Sequence, residues 1–226
     1  MPALEWVGLP LNFGYANGKW FAKVSRDKEE EIGPTELFVA DPRSYTELWK
    51  RLERLDGQRK KSITETIGGR RVDGWINPRR HLLPETDKTK WPLRDKDGEP
   101  DDPWIEELRI VLRRLSDDQL FTWSAQYSSQ RGMGALLDAA MKDCDGHPGL
   151  CPVVILKAIV KGDTFIPDLQ IVDWRPFGEG ASPPPNPARA QQLQEDLRAL
   201  HAKYAPKAAA AAVKKKRGDM DDEIPF

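Results

Sequence analysis

The chain has 226 residues, a formal net charge of −1, 39% hydrophobic and 31% charged residues. That is enough apolar matter for one large domain, or one domain and a tail. No apolar run approaches the ~20 residues needed to span a bilayer, and the two cysteines, Cys144 and Cys151, indicate no disulfide framework. No basic-apolar-small segment opens the chain as a signal peptide would, so a reducing cytoplasm is expected.

In chain order, Gly18–Ser25 alternates polar and apolar after a glycine turn and predicts a strand. Glu36–Ala40 predicts a short second strand. Asp41-Pro42-Arg43-Ser44 then reads as the start of a helix to about Leu55. Ser44 is the N-cap, Glu47 the capping-box partner, and Tyr45, Leu48, Trp49 and Leu52 the apolar face. Residues 56–103 are rich in Gly, Pro and charge and predict long loops or a short hairpin. Trp104–Leu115 fits helix and strand. The turn Ser116-Asp117-Asp118 and the following Gln119–Ser124 favour a strand pair. Gly134–Met141 predicts a short helix. Val153–Val160 and Phe165–Trp174, joined by Lys161-Gly162-Asp163, predict a hairpin. The fold class expected is mostly β with a few helices (α+β), built as a small antiparallel β-barrel over residues 1–177.

Residues 178–218 change in composition. Gly178–Pro187 reads as a linker, Ala188–Tyr204 as a helix with Leu193, Leu197 and Leu200 on one face, and 208–218 as a flexible basic segment. Residues 219–226 are a third unit. Asp219, Asp221, Asp222 and Glu223 precede Ile224-Pro225-Phe226. A partner could seat the Phe226 ring in an apolar pocket while basic side chains meet the acids. A solubilising tail that happens to end in Phe is the plainer reading.

This last stretch resembles the acidic tip of bacterial single-stranded DNA-binding proteins and the aromatic-ended tails of their phage counterparts. Leu37–Pro42, Trp91-Pro92, Asp102-Pro103-Trp104, Ser128–Gly134, and Pro152–Val154 leading to Ile171–Trp174 also resemble phage-encoded proteins associated with single-stranded DNA. The resemblance implies an oligonucleotide-binding (OB) barrel, replication or recombination proteins as partners of the tip, and a bacterial host cell. It matches no run of the ordinary bacterial DNA-binding domain, so the oligomeric state, including homo-oligomerisation, stays open.

Single strands demand cations for phosphates and flat rings for unstacked bases. Between Leu48 and Arg80, ten cations face four acids, a local charge of +6. Arg70, Arg71, Arg79 and Arg80 bracket Trp75. Phe121, Trp123 and Tyr127 share one face of an extended strand and are followed by Arg131. Lys19-Trp20 is a third candidate. Each aromatic has a competing reading as core. Trp6, Trp49, Trp104 and Trp174 are assigned to the core or its edge.

Cys144, His147 and Cys151 offer three ligand types for zinc at a spacing that suits a loop, and no metal or other cofactor is expected. The three histidines are scattered, and no catalytic motif occurs, so no enzyme is expected. A tip-bearing adaptor without DNA binding, and more remotely a nuclease using Asp101-Asp102 or Asp117-Asp118, are the alternatives.

Overall fold

The computed structural model describes residues 7–25, 28–54, 61–95 and 97–205. Eleven strands and two helices follow in order: β1 (Leu9–Gly14), β2 (Lys19–Lys23), β3 (Glu29–Glu31), β4 (Leu37–Arg54), β5 (Lys61–Arg70), β6 (Leu93–Arg94), β7 (Pro100–Asp101), β8 (Trp104–Arg114), β9 (Leu120–Ala125), α1 (Gln130–Asp143), β10 (Cys151–Lys161), β11 (Thr164–Arg175) and α2 (Ala188–Lys203). The main sheet runs β11-β10-β4-β8-β9-β1-β2-β3, with β5 added to β4. It is mixed, because β1 lies parallel to β9 while the other pairs are antiparallel. β6 and β7 form a separate ribbon.

The class expected from the sequence, mostly β with helices, is what forms. The closed barrel is not. The path of the sheet ends at the three exposed glutamates of β3 and at β11, against which α1 packs rather than a further strand, and β5 is a third edge. The sheet nevertheless curls. The Trp20 indole N–H donates to the Lys157 carbonyl at 2.9 Å, and the Phe165 N–H donates to Tyr15 O at 3.0 Å. These bonds hold the β1–β2 hairpin against the β10–β11 hairpin.

The helix expected over Ser44–Leu55 is absent. Its residues belong to β4, an 18-residue strand. Tyr45 and Trp49 are buried on one face, Thr46 and Leu48 on the other. Covered on both sides, the strand loses its period-two alternation, and its apolar residues fall by chance on helical spacing. Ser44 caps no helix and sits instead at a strand irregularity between Asp41 and Thr46. Its hydroxyl accepts from the Val111 N–H at 2.8 Å and donates to Asp41 O at 2.6 Å, standing in for a missing ladder group. The 56–103 region is also more regular than expected. Its Ile63, Thr64, Thr66 and Ile67 lie in β5, paired with β4 from Thr46↔Arg70 to Arg54↔Lys61.

The concave face of the sheet holds the main core. Leu11, Trp20, Phe38, Ile110, Leu112, Phe121, Trp123, Val154 and Leu169 meet Met133, Leu136 and Leu137 of α1 there. α1 lies close to β11, since a Cβ on Gly132 would stand 2.2 Å from Pro167 O. A second core gathers Trp49, Ile67, Trp75, Leu83 and Trp104 under Leu193 and Leu200 of α2. The expected helix therefore exists, but it is docked on the domain rather than held off by a linker. Arg51 reinforces this corner. It grips Glu85 with two bonds of 2.6 and 2.8 Å and lies 4.3 Å from the Tyr204 ring centroid.

If α2 is part of the folded unit, Leu193→Ala removes a buried side chain from the second core. It is expected to destabilise the protein by about 2–5 kcal/mol and to lower its thermal midpoint in a calorimeter. A midpoint equal to the parent's would mean that α2 contributes nothing to the core.

Candidate nucleic-acid interface

Four of the expected base-stacking rings are unavailable. Trp20, Phe121 and Trp123 are buried in the main core and Trp75 in the second. Trp20 and Trp123 meet edge-to-face at 5.1 Å, ring against ring rather than ring against base. Tyr127 is different. It stands at the end of β9, opens the 3-10 turn Tyr127–Ser129 that runs into α1, and is 71% exposed. Its φ of +50° is a left-handed conformation that a bulky residue adopts only under constraint. The constraint is visible. The Gln126 N–H donates to Ser129 Oγ at 2.8 Å and the Ser129 hydroxyl donates to Gln126 O at 2.5 Å, closing the turn around Tyr127.

Most of the basic stretch is consumed internally. Arg70 holds Asp73 at 2.7 Å and also donates to the carbonyls of Pro183 and Pro184. Arg80 holds Asp102 at 2.7 Å and donates to Pro84 O and Glu85 O. Both are structural clamps, and their expected role as phosphate contacts does not survive this geometry. Lys61 pairs with Asp101, Lys19 with Glu31, and Arg71 sits 3.9 Å from Glu47 with its side chain largely exposed. Among the described residues, Arg54, Arg79 and Arg131 are exposed and form no ion pair with a described carboxylate.

Two clusters of accessible groups result. At one end of the sheet, Arg54 and Lys61 face each other across the β4–β5 ladder, with exposed Ile63 beside them. Tyr127 belongs to the same end. Partial burial raises its phenol, and Asp101, Lys61 and Asp102 are close enough to act on it. Arg131 is the second residue of α1, four positions after Tyr127. The acids here are already matched, Asp101 by Lys61 and Asp102 by Arg80. The second cluster is a groove of about 710 Å³ between residues 74–82 and α2, with Arg79 and Arg198 among its walls. Arg54, Lys61 and Arg198 were missed as site residues. The first two were counted only as charge. Arg198 lies beside the Leu193, Leu197, Leu200 stripe of α2, a flank that becomes a wall only once the helix docks.

Between these clusters the convex face of β4, β8 and β9 is covered. Phe177 packs on Val39, Val111 and Val153. The Ser182 N–H donates to the buried Asp41 carboxylate at 2.8 Å, and the Asn186 N–H donates to Asp73 at 2.7 Å. Residues 176–186 thus form a strap, not a free linker. On the same face Glu107 is a buried hub, bonded to Lys50 at 2.5 Å, Arg109 at 2.7 Å, Gln126 at 2.6 Å and Ser124 at 3.2 Å. Burial alone would raise its carboxyl. Lys50, Arg109 and Gln126 outweigh burial and hold it below the usual carboxylate range.

Cys144, His147 and Cys151 do not converge. Cys144 is exposed, Cys151 is buried in β10, and the His147 ring stacks on Trp174 at 4.4 Å. Burial and the nearby Asp41 push the Cys151 thiol up to about 11. Among the described residues no group of three or more His, Cys, Asp or Glu side chains is placed to share a metal. Asp117 and Asp118, the other acid pair, face Arg114 and Arg113. No described helix is long and apolar enough to cross a membrane. Residues 219–226, assigned from sequence to partner binding, lie outside the described residues. Compared with protein-family models, curated proteins and solved structures, the chain matches none.

Glu107→Gln leaves two cations without their shared carboxylate. It is expected to cost about 3–5 kcal/mol in urea unfolding at pH 7. Because the folded-state pKa of Glu107 is depressed, its contribution is present above the unfolded value. It is lost as pH falls through the folded one. The gap between parent and variant should therefore close in acid, and a gap that is constant with pH would refute the assignment.

Proposed function

We propose that the protein binds single-stranded DNA with little sequence preference, without catalysing a reaction, at the Tyr127 end of the sheet. The supporting observation is Tyr127 itself. A large ring is held out in solvent, in a strained backbone conformation, by a closed hydrogen-bonded turn, with Lys61 close enough to act on its phenol, Arg54 across the ladder from Lys61, and Arg131 four residues on in α1. A ring and separate cations are the two things a single strand needs. Strain maintained in this way is a mark of functional positions.

The connectivity supports the same reading by analogy of fold. β4, β8 and β9 form a meander, α1 joins β9 to β10, β10 returns to β4, and β11 pairs with β10. This resembles the strand order of an OB fold without the pairing that closes its barrel, with β5 and its following turns inserted between the first two strands and β1–β3 added beyond the third. Such folds bind oligonucleotides across their second and third strands, flanked by the first and last hairpin loops. Here the strap covers much of that face, which leaves the end carrying Tyr127, Arg54 and Lys61 accessible. The tip Asp219–Phe226 would recruit replication or recombination proteins, in a bacterial cell carrying a phage or prophage.

Tyr127→Ala is expected to weaken oligo-dT binding by roughly 1–3 kcal/mol in a fluorescence-anisotropy titration, and Tyr127→Phe to retain it. Arg131→Ala and Arg54→Ala should each lower the slope of log affinity against log salt by about 0.7. Arg70→Ala and Arg80→Ala should reduce stability and leave that slope alone. Deleting Phe226 should weaken capture of tip-reading proteins while oligo-dT affinity holds. Full oligo-dT affinity in folded Tyr127→Ala would remove the basis of the reading.

A further inference from the structure

The groove between residues 74–82 and α2 has a chemistry unlike the Tyr127 end. Its exposed apolar side chains are aliphatic, with Ile76 81% and Leu82 52% exposed, joined by Pro78 and Leu197. Trp75 reaches it only as a buried ring, 3% exposed, with its indole N–H turned to Asn77 at 3.3 Å. Its charged side chains are Arg79 and Arg198, beside His81 and His201, and no carboxylate lines it. Its depth is fixed on both sides. Trp75, Leu193 and Leu200 lock the loop and the helix into one core, and His201 Nε2 lies 2.8 Å from Leu82 O.

A site like this fits an extended peptide that is acidic along one part and aliphatic or aromatic along the next. It suits a nucleic-acid strand less well, because its rings are two imidazoles and a buried indole, with no exposed Trp, Tyr or Phe face for a base. The chain itself contains such a peptide. Asp219, Asp221, Asp222 and Glu223 carry four negative charges and are followed by Ile224-Pro225-Phe226. The connection is also short. α2 ends at Lys203, two residues past groove residue His201. The 13 residues from 206 to 218 span up to roughly 45 Å when extended, against ~10 Å of α2 between Gln194 and His201. We infer that the groove is a docking site for residues 219–226 of the same chain. The acids meet Arg79 and Arg198, and Ile224 to Phe226 lie on Ile76, Leu82 and Leu197. This assignment stands on the groove alone and does not depend on whether nucleic acid binds elsewhere.

The test is a photo-crosslink in the full chain, with p-benzoylphenylalanine in place of Phe226 and the adducts mapped by mass spectrometry. Adducts within one chain on residues 76–82 and 194–201 are expected. Their yield should fall about tenfold when Arg79→Glu and Arg198→Glu are combined, as for loss of complementary rim charges. It should fall similarly when Asp219, Asp221, Asp222 and Glu223 are all made amides, a change outside the folded core. Oligo-dT added before irradiation should leave the yield unchanged. Adducts elsewhere on the protein, adducts joining two chains, a yield indifferent to both sets of variants, or displacement by oligo-dT at equal concentration would each overturn the assignment.

Discussion

The fold depends on the irregularity in β4 at Asp41–Thr46. A strand of 18 residues cannot pair with β10, β8 and β5 and stay straight. It changes register against β8 where Asp41 and Ser44 replace the ladder. The Asp41 carboxylate, fully buried, accepts from the Arg43 N–H at 3.0 Å and from the Ser182 N–H at 2.8 Å. One side chain therefore turns the strand and anchors the strap that crosses the convex face. The first half of β4 lines the main core and the second half supports Trp49, hence the second core and α2. Where the strap lies, and so which part of the sheet stays open, follows from that turn.

Charge is distributed by the same logic. A stretch that is +6 in sequence becomes, once folded, a set of clamps. Lys50 is committed to Glu107, Arg51 to Glu85, Arg70 to Asp73 and Arg80 to Asp102. Apart from Asp73, three residues from Arg70, these carboxylates lie outside the stretch, so counting charge within it overstates what a ligand can meet. Buried pairs of this kind hold segments in register more than they stabilise, because desolvation offsets most of the attraction. Among the described cations that stay exposed and unpaired, two groups have different companions. One has a tyrosine ring, the other has isoleucine and leucine.

The parts of the fold legible in the sequence were apolar runs bounded by turn residues. β2 alternates cleanly, and the β8–β9 and β10–β11 hairpins, although partly buried on both faces, are marked by Ser116-Asp117-Asp118 and Lys161-Gly162-Asp163. β4 was not legible, because burial on both faces erased its alternation. Neither was β5, whose Ile and Thr content was obscured by the surrounding charge. α2 was visible as a helix through Leu193, Leu197 and Leu200, but nothing local says that its stripe meets Trp49 and Trp75. The aromatic triplet Phe121, Trp123 and Tyr127 shows the limit most plainly. Strand periodicity puts all three on one face. The chain turns after Ala125, and only Tyr127 leaves the core. Ser129, whose hydroxyl closes that turn, carries no sequence signal beyond its proximity.

The central claim is that single strands meet the protein at the exposed tyrosine and its cations rather than at the tryptophans. The most direct measurement is a hydrogen-exchange footprint of oligo-dT on the full chain. The account predicts slowed exchange in residues 61–67 and 126–133, with residues 74–82 unchanged. Slowed exchange centred on residues 74–82, or no footprint at saturating oligo-dT, would contradict it.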